Sequence, residues 1–208
     1  MVHEEMRAAL VEAYRALLRE GLIVGRAGNV SARIDTGCLI TPTAVPPEQM
    51  QPSDIATVAF SGEATGKPSS EWRFHRDIFA ARPDIHAIVH THSPNATALA
   101  TLRMPIPAAH YMVAMAGGHE IPCAPYATFG TAALSEAILA TLGGRNACLL
   151  ANHGVVAVGA TLDKAMDLAR EVELLAQIHR MALAAGTPVV LDREEMDRVL
   201  EAFKGYGR

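Results

Sequence analysis

The sequence predicts a mixed α/β sandwich, formed by a single domain that spans residues 1–208. The chain has 208 residues, half of them hydrophobic, which is enough to bury one sizeable core. Strand-like segments are separated in some places by hairpin turns and in others by helices, and this arrangement favours a mixed sheet over regular β–α alternation. The GxGxxG fingerprint is missing, so a regular Rossmann fold is not indicated.

Apolar spacing and turn residues predict two helices and three strands in the first part of the chain. Apolar residues at helical intervals begin at Met6 and stop at Gly21, and a glycine-rich loop follows. Hydroxyl residues favour helix N-caps and acidic residues favour the first helical turn, so Ser69, Ser70 and Glu71 are expected to open the second helix. The remaining predicted elements are strands at 30–34 and 38–40 around a hairpin turn at 35–37, a strand at 55–60, and an end of the second helix at 82–83.

The second part of the chain alternates between apolar strand-like runs and longer helical patterns. A buried strand at 87–89 leads directly into His90, Thr91 and His92, and Pro94 ends it. The other predicted elements are strands at 121–125, 147–151 and 155–158, and helices at 131–142, 162–185 and 193–204.

Composition and charge exclude several classes of protein. No run of about 18 apolar residues occurs, and residues 1–5 lack the positive charge of a secretory signal, so we expect a cytoplasmic protein. The formal net charge of −4 offers no general attraction for a phosphate backbone, so nucleic acid is not an expected partner. Cys38, Cys123 and Cys148 form no CxxC pair, which argues against a disulfide framework and against a cysteine-rich zinc site.

Three histidines at strand ends have the spacing of a metal site. Side chains two residues apart on a strand share a face, so His90 and His92 can direct two imidazoles at one ion. His153 is the best third ligand, and the adjacent Gly154 would let backbone approach closely. Three imidazoles favour Zn²⁺ over Mg²⁺ or Ca²⁺, which prefer oxygen ligands. The alternative is that all three are satisfied polar residues at strand ends.

Hydroxyl groups near a helix start indicate an oxyanion pocket. Backbone N–H groups at the start of a helix point outward, and Ser69 and Ser70 stand at such a point. Asn29 and Thr43 lie in loops that could add donors. The alternative for the two serines is simple capping of the helix, although one serine would suffice for a cap.

Three further residues are candidates for proton transfer. Glu71 could act as a general acid or base if it faces the histidines, or it could only stabilise the helix dipole. Tyr111 and Tyr206 lie beside Gly, His or Lys rather than within apolar runs, so a proton-donating phenol is an alternative to a core role for each.

Motifs along essentially the whole chain resemble those of the class II aldolase/adducin family. They are GNVS at 28–31, LITPT at 39–43, PSSEWRFH at 68–75, RPD at 82–84, VHTH at 89–92, IPA at 106–108, HYM at 110–112, IPCAPYATFGT at 121–131, HG at 153–154 and FKGYG at 203–207. Two positions depart from the family pattern: Ala44 replaces a glycine and Asn152 replaces a histidine. Ala44 could still donate its N–H unless the loop requires a positive φ, and the two departures bear on substrate specificity more than on chemistry.

The resemblance implies a largely antiparallel central sheet flanked by helices, and a homotetramer with active sites between subunits. It implies that His90, His92 and His153 bind zinc and that Glu71 is the catalytic acid/base. It also implies a catalytic Tyr111 supplied by a neighbouring subunit and a catalytic Tyr206 in the C-terminal tail. The residues it implies for the phosphate site are Asn29, Thr43, Ser69 and Ser70.

The implied reaction is reversible aldol cleavage of a ketose 1-phosphate to dihydroxyacetone phosphate and an aldehyde. L-Fuculose 1-phosphate, which would give lactaldehyde, and similar deoxysugar phosphates are the expected substrates. In this reaction zinc acts as a Lewis acid on the C2 carbonyl, Glu71 protonates C3, and Tyr111 handles the proton on the C4 oxygen. The alternatives are a zinc-dependent sugar-phosphate dehydratase or epimerase of the same family, and a non-catalytic, adducin-like interaction module.

Overall fold

An eight-stranded sheet forms the central layer of the molecule. The computed structural model describes residues 3–204. Its strands are β1 (Asn29–Ile34), β2 (Gly37–Ile40), β3 (Ala56–Ala59), β4 (Ala64–Thr65), β5 (Ala87–Thr91), β6 (Ile106–Pro107), β7 (Glu120–Ile121), β8 (Cys123–Ala124), β9 (Ala147–Leu150) and β10 (Gly154–Gly159). The central sheet has the order β4-β3-β2-β1-β5-β10-β9-β8 and is antiparallel except at the β8–β9 pair, while β6 and β7 form a small separate sheet. The prediction of a mixed, largely antiparallel sheet is confirmed.

Residues 3–204 contain six α-helices. They are α1 (Glu4–Arg19), α2 (Trp72–Ala81), α3 (Pro94–Thr101), α4 (Ala132–Leu142), α5 (Leu162–Ala185) and α6 (Arg193–Phe203). Helix α6 packs on the short 3₁₀ helix at 111–116, and the others pack against the central sheet or its covering helices. Side chains of β2, β9 and β10 pack with α2 and α4 in one apolar core, and the alternate side chains pack with α1, α3 and α5 in the other. None of the helices within residues 3–204 is long and apolar enough to cross a membrane.

Strand β5 shows how the two cores arise from one stretch of sequence. Successive strand side chains point to opposite faces of a sheet. Val89 therefore packs in the core beneath α5, whereas Ile88 packs in the core beneath α2 and α4. His90, two residues after Ile88, lies on the α2 side, where its ring meets Phe74 edge to face at 5.6 Å between centroids.

The structure corrects three details of the predicted elements. Pro94 does not only end a strand; it occupies the first turn of the unpredicted helix α3, where its missing N–H costs nothing. The predicted strand at 121–125 is divided into β7 and β8 around Pro122, which has no N–H for a ladder bond. Helix α2 begins one residue later than expected, at Trp72. Its N-cap is Glu71, whose side chain makes no capping hydrogen bond.

Candidate metal centre and active site

Four titratable side chains from three parts of the fold converge on one point. Glu71 lies at the N-terminus of α2, and His90 and His92 lie in β5 and directly after it. His153 lies in the turn between β9 and β10. One ligand atom from each of the four lies within 4.8 Å of all the others. The structure therefore brings together the three histidines and the glutamate that the sequence singled out.

The ring nitrogens and the carboxylate oxygens are in close contact. His90 Nε2 lies 3.1 Å from His92 Nε2 and 3.1 Å from Glu71 Oε2. His153 Nε2 lies 3.2 Å from Glu71 Oε1. The centroids of the three imidazole rings are 4.9 to 5.0 Å apart, with the rings close to perpendicular. The three Nε2 atoms thus face a common centre, with the Glu71 carboxylate beside it.

Two glycines allow the backbone to approach the histidines this closely. A Cβ atom on Gly154 would lie 2.3 Å from the Thr91 carbonyl oxygen and 2.9 Å from the His92 ring. A Cβ atom on Gly28 would lie 2.5 Å from the His90 carbonyl oxygen, and Gly28 also has a φ of +74°. The close approach expected at Gly154 is confirmed, and Gly28 serves the same purpose on the other side of β5.

The residues fit a divalent metal ion. His90 Nδ1 donates to the Val155 carbonyl oxygen at 2.8 Å, which leaves the Nε2 lone pair directed at the centre. Glu71 Oε1 is buried and accepts no hydrogen bond from the residues described. Three imidazoles with one nearby carboxylate suit Zn²⁺ or another borderline cation better than an oxygen-seeking one.

The electrostatics of the cluster keep Glu71 ionised. Burial alone raises the pKa of the Glu71 carboxyl, but His90 and His153 outweigh burial and hold that pKa well below its ordinary value. Burial lowers the pKa of His90, yet the adjacent Glu71 carboxylate more than compensates and raises it. Burial, together with His90 and His153, lowers the pKa of His92 to about 4. Glu71 is therefore a carboxylate and His92 is neutral at pH 7.

A cavity of about 320 Å³ opens from this cluster to the surface. Thr43, Ser69 and Ser70 line it, so three of the four residues expected at a phosphate site present hydroxyls around one space. The fourth, Asn29, is buried in the wall and donates from Nδ2 to Glu71 Oε2 at 3.0 Å and to Ser69 Oγ at 3.1 Å. Asn29 thus links the expected anion site to Glu71.

The two departures from the family pattern also lie in this cavity, and both have left-handed backbone conformations. Ala44 has a φ of +64° and Asn152 a φ of +56°. The loop after Thr43 therefore does require a positive φ, which an alanine adopts only at a cost. Asparagine accepts this conformation more readily, so Asn152 is the less strained of the two.

Sequence reasoning missed three residues that line the cavity. Arg26 is the one lysine or arginine among the described lining residues, and its Nη1 donates to the Ala44 carbonyl oxygen at 3.1 Å. Tyr126 and Phe129 line the mouth with rings that are 57% and 64% exposed. In a chain with only 5% aromatic residues, two aromatic rings in a polar loop before α4 could have indicated a binding site. A single arginine in a loop gives no such indication.

Of the two tyrosines expected to transfer protons, only Tyr111 is among the described residues, and it does not line this cavity. Tyr111 begins a short 3₁₀ helix, is half exposed, and is not among the described residues that line the cavity. Tyr206 lies outside the described residues.

Comparisons with known proteins agree with the fold and the site. A family model described as the class II aldolase and adducin N-terminal domain matches residues 8–180. A 5-methylthioribulose-1-phosphate/5-deoxyribulose-1-phosphate aldolase of Rhodospirillum rubrum is 52% identical over 204 residues, which cover 97% of this chain and 92% of the relative. An L-fuculose phosphate aldolase of Escherichia coli O6:H1 is 49% identical over 210 residues, covering 100% and 98%. The solved structure of an L-fuculose 1-phosphate aldolase superposes with a TM-score of 0.94 at 38% identity, and the match covers 98% of both chains.

The class II aldolase fold, together with a histidine and glutamate cluster that could hold a metal ion, supports a lyase. The chain belongs to the class II aldolase and adducin family. Its similarity to L-fuculose phosphate aldolases, expected from the motifs, is confirmed. Class II aldolases use a divalent metal, and the described cluster could bind one.

Proposed function

We propose that this protein is a zinc-dependent aldolase that reversibly cleaves a ketose 1-phosphate to dihydroxyacetone phosphate and an aldehyde. One observation carries the proposal: an ionised, buried Glu71 lies between three converging imidazoles and a cavity lined by hydroxyl groups and one arginine. A sugar phosphate requires both ends of this arrangement, because its phosphate needs donors and its reacting carbons need a Lewis acid and a base.

His90, His92 and His153 would hold the zinc ion. When bound there, zinc supplies a Lewis acid that polarises the substrate carbonyl and stabilises the negative charge that bond cleavage leaves. The Val155 carbonyl oxygen fixes the His90 ring for this purpose.

Glu71 is the acid/base at C3 of the substrate. In the cleavage direction the C3–C4 bond breaks, the C4 hydroxyl loses its proton, C4 becomes the aldehyde carbon and C3 gains a proton to form dihydroxyacetone phosphate. The proton released from the C4 hydroxyl converts the Glu71 carboxylate to its acid form, which delivers a proton to C3, and in condensation the carboxylate removes the C3 proton again. Its contact with Asn29 Nδ2 and its position beside His90 and His153 orient the carboxylate for this transfer.

The phosphate end is held by Thr43, Ser69, Ser70 and Arg26, with Asn29 at its inner edge. A guanidinium forms charge-assisted hydrogen bonds to phosphate oxygens, which are about twice as strong as neutral ones. Binding at this end, away from the bond that breaks, positions C3 near Glu71.

Tyr111 of a neighbouring subunit exchanges the proton of the C4 oxygen. The half-exposed position of Tyr111 outside its own cavity supports this assignment. Together with Tyr206 of the C-terminal tail, it completes an active site that forms only when subunits associate. We propose a cytoplasmic homotetramer built from one such domain per chain.

The aldehyde half of the substrate ends in an apolar group. The exposed rings of Tyr126 and Phe129 at the cavity mouth favour a terminal methyl or methylthio group over a hydroxyl. The relatives named for 5-methylthioribulose 1-phosphate, 5-deoxyribulose 1-phosphate and L-fuculose 1-phosphate all act on such molecules.

A substrate panel tests this proposal. Release of dihydroxyacetone phosphate is measured by a coupled assay from these three substrates and from D-ribulose 1-phosphate, which differs from 5-deoxyribulose 1-phosphate only by a terminal hydroxyl. We expect release from the deoxy and methylthio substrates and a lower kcat/KM for D-ribulose 1-phosphate. Loss of water from 5-methylthioribulose 1-phosphate, without release of dihydroxyacetone phosphate, would instead identify a dehydratase.

A further inference from the structure

A chain of buried polar groups runs from Glu71 into the protein interior. Asn29 Nδ2 donates to Glu71 Oε2, and Asn29 Oδ1 is in short contact with His75 Nε2. His75 Nδ1 lies 2.6 Å from Ser31 Oγ. His75 is fully buried in α2, and Ser31 and Asn29 lie in β1 with 0% and 2% exposure. Buried polar groups are costly unless their atoms have partners, and each side-chain polar atom of Asn29, His75 and Ser31 has one.

The geometry around Asn29 fixes the direction of each hydrogen bond. Its Nδ2 lies 3.0 Å from Glu71 Oε2 and 3.1 Å from Ser69 Oγ, so the NH₂ group faces Glu71 and the carbonyl oxygen, which only accepts, faces His75. His75 Nε2 must then carry the proton that it donates to Asn29 Oδ1. Burial lowers the pKa of His75 to about 3, so the ring is neutral and its Nδ1 is an acceptor. Ser31 consequently donates to Nδ1, and all donors point toward the active site.

The same chain sets the direction of the Ser69 hydroxyl. Ser69 Oγ accepts from Asn29 Nδ2 at 3.1 Å and from the Glu71 backbone N–H at 3.3 Å. With its lone pairs used in this way, the Ser69 proton is free to be donated into the cavity, where the phosphate is proposed to bind. Both N–H bonds of Asn29 are therefore committed, one to the acid/base and one to the anion site.

We propose that His75 is a positioning residue that acts through Asn29 to hold Glu71 and Ser69 in their working orientations. This inference rests on the proposed function of Glu71. His75 touches neither the metal cluster nor the cavity, since it is not among the described residues that form either. Without the Nε2–H of His75, Asn29 Oδ1 loses the one hydrogen-bond donor that it has among the described residues, and the amide is no longer fixed at the end opposite Glu71.

Two substitutions at His75 separate positioning from packing. His75→Phe retains an aromatic ring but neither nitrogen, whereas His75→Gln places an amide nitrogen at the position of Nε2 and can still donate to Asn29. We expect His75→Phe to lower kcat by about 10- to 100-fold, the usual effect of removing a partner that orients an active-site group, and His75→Gln to restore most of it. Zinc content should stay at the wild-type level in both variants.

Ser135→Ala is the matched control for a substitution that only weakens the packing of α2. Ser135 Oγ donates to Asp77 Oδ2 at 2.6 Å and joins α4 to α2 away from the cavity. This variant should lower the melting temperature without changing kcat. A kcat for His75→Phe equal to that of Ser135→Ala at matched stability would overturn the proposal, and so would equal losses for the Phe and Gln variants at His75.

A measurement that is independent of activity completes the test. Long-range ¹⁵N–¹H NMR of the zinc-loaded wild-type protein reports which ring nitrogen of each histidine carries the proton, and the His75 signals are assigned by their loss in His75→Gln. We expect the Nε2–H tautomer, and an Nδ1–H tautomer would overturn the proposal even if His75→Phe failed to fold. A wild-type protein that cleaves no ketose 1-phosphate but shows the Nε2–H tautomer would refute the proposed function and leave this hydrogen-bond chain standing.

Discussion

Replacing Ala44 with glycine should stabilise the protein. Ala44 has a φ of +64°, which brings its Cβ too close to the following carbonyl oxygen. The Ala44 side chain is exposed, so removing its methyl group leaves no buried cavity. The hydrogen bond between Arg26 and the Ala44 carbonyl oxygen uses only the backbone at residue 44, so glycine retains it. The substitution therefore changes backbone strain and little else.

The expected gain follows from two opposing terms. A left-handed conformation costs an L-residue roughly 1–2 kcal/mol, which glycine recovers. Glycine also increases the conformational entropy of the unfolded chain, at a cost of about 0.4–1 kcal/mol. The net stabilisation is about 0.5–1 kcal/mol, which raises the melting temperature of a chain of this length by about 1–4 °C. Thermal unfolding of the two proteins, followed at equal protein and zinc concentrations, measures this shift.

Ala27→Gly is the matched control. Ala27 lines the same cavity, and its φ is not among the positive values found in residues 3–204. The same substitution there has only the entropic cost, so it should lower the melting temperature. A lower melting temperature for Ala44→Gly, or equal shifts in the same direction for both variants, would show that the loop at Ala44 is not held in a strained conformation.

Three further predictions concern other sites. Arg26→Ala should raise the KM for a ketose 1-phosphate about tenfold with little change in kcat, since one charged hydrogen bond is worth about 1.5–3 kcal/mol; steady-state kinetics measure this, and an unchanged KM would exclude Arg26 from phosphate binding. The pKa of His75 is about 3 in the folded protein and about 6.5 in the unfolded chain. The buried neutral ring therefore contributes fully to the free energy of unfolding above pH 6.5, and this contribution is lost as the pH falls toward 3, because only the unfolded chain binds the proton. Between pH 6.5 and 4.5, the free energy of unfolding measured in urea should fall more steeply in wild type than in His75→Gln, by up to about 1.4 kcal/mol per pH unit. Equal slopes for the two proteins would contradict a buried neutral ring. Burial raises the pKa of Cys38 to about 12 and also raises that of Cys148, so Ellman's reagent at pH 8 should modify only the half-buried Cys123 in the native protein; rapid loss of a second thiol would refute this.

The sequence predicted the histidine pair of the site because a strand has a simple period. His90 and His92 follow an apolar run, and the two-residue repeat alone places both rings on one face. His153 and Glu71 are distant in sequence, so their residue types and positions at a strand end and a helix start suggested them only as candidates, and the resemblance to a family gave them definite roles beside the pair. The structure supplies the physical link: β10 lies beside β5, and the N-terminus of α2 lies against the same strand end.

The hydrogen-bond chain through His75 was not predictable in the same way. His75 follows Phe74 on an amphipathic helix, where its spacing indicates only a buried position. Its partners Ser31 and Asn29 lie on β1, and their separation of two residues gives them one face of a strand without showing which helix covers it. The strain at Ala44 is likewise a property of the folded loop, since alanine carries no preference for a positive φ that a sequence could reveal.

Metal-dependent release of dihydroxyacetone phosphate tests the central claim most directly. The purified protein is stripped with a chelator, reconstituted with one equivalent of zinc per chain, and assayed with 5-deoxyribulose 1-phosphate and L-fuculose 1-phosphate beside a Glu71→Gln variant that retains its zinc. We predict that release stops on chelation and returns with zinc, and that Glu71→Gln lowers kcat by about 10²- to 10⁴-fold, the usual contribution of a general acid/base. Release that survives complete removal of the metal, or a fully active Glu71→Gln protein, would contradict the account.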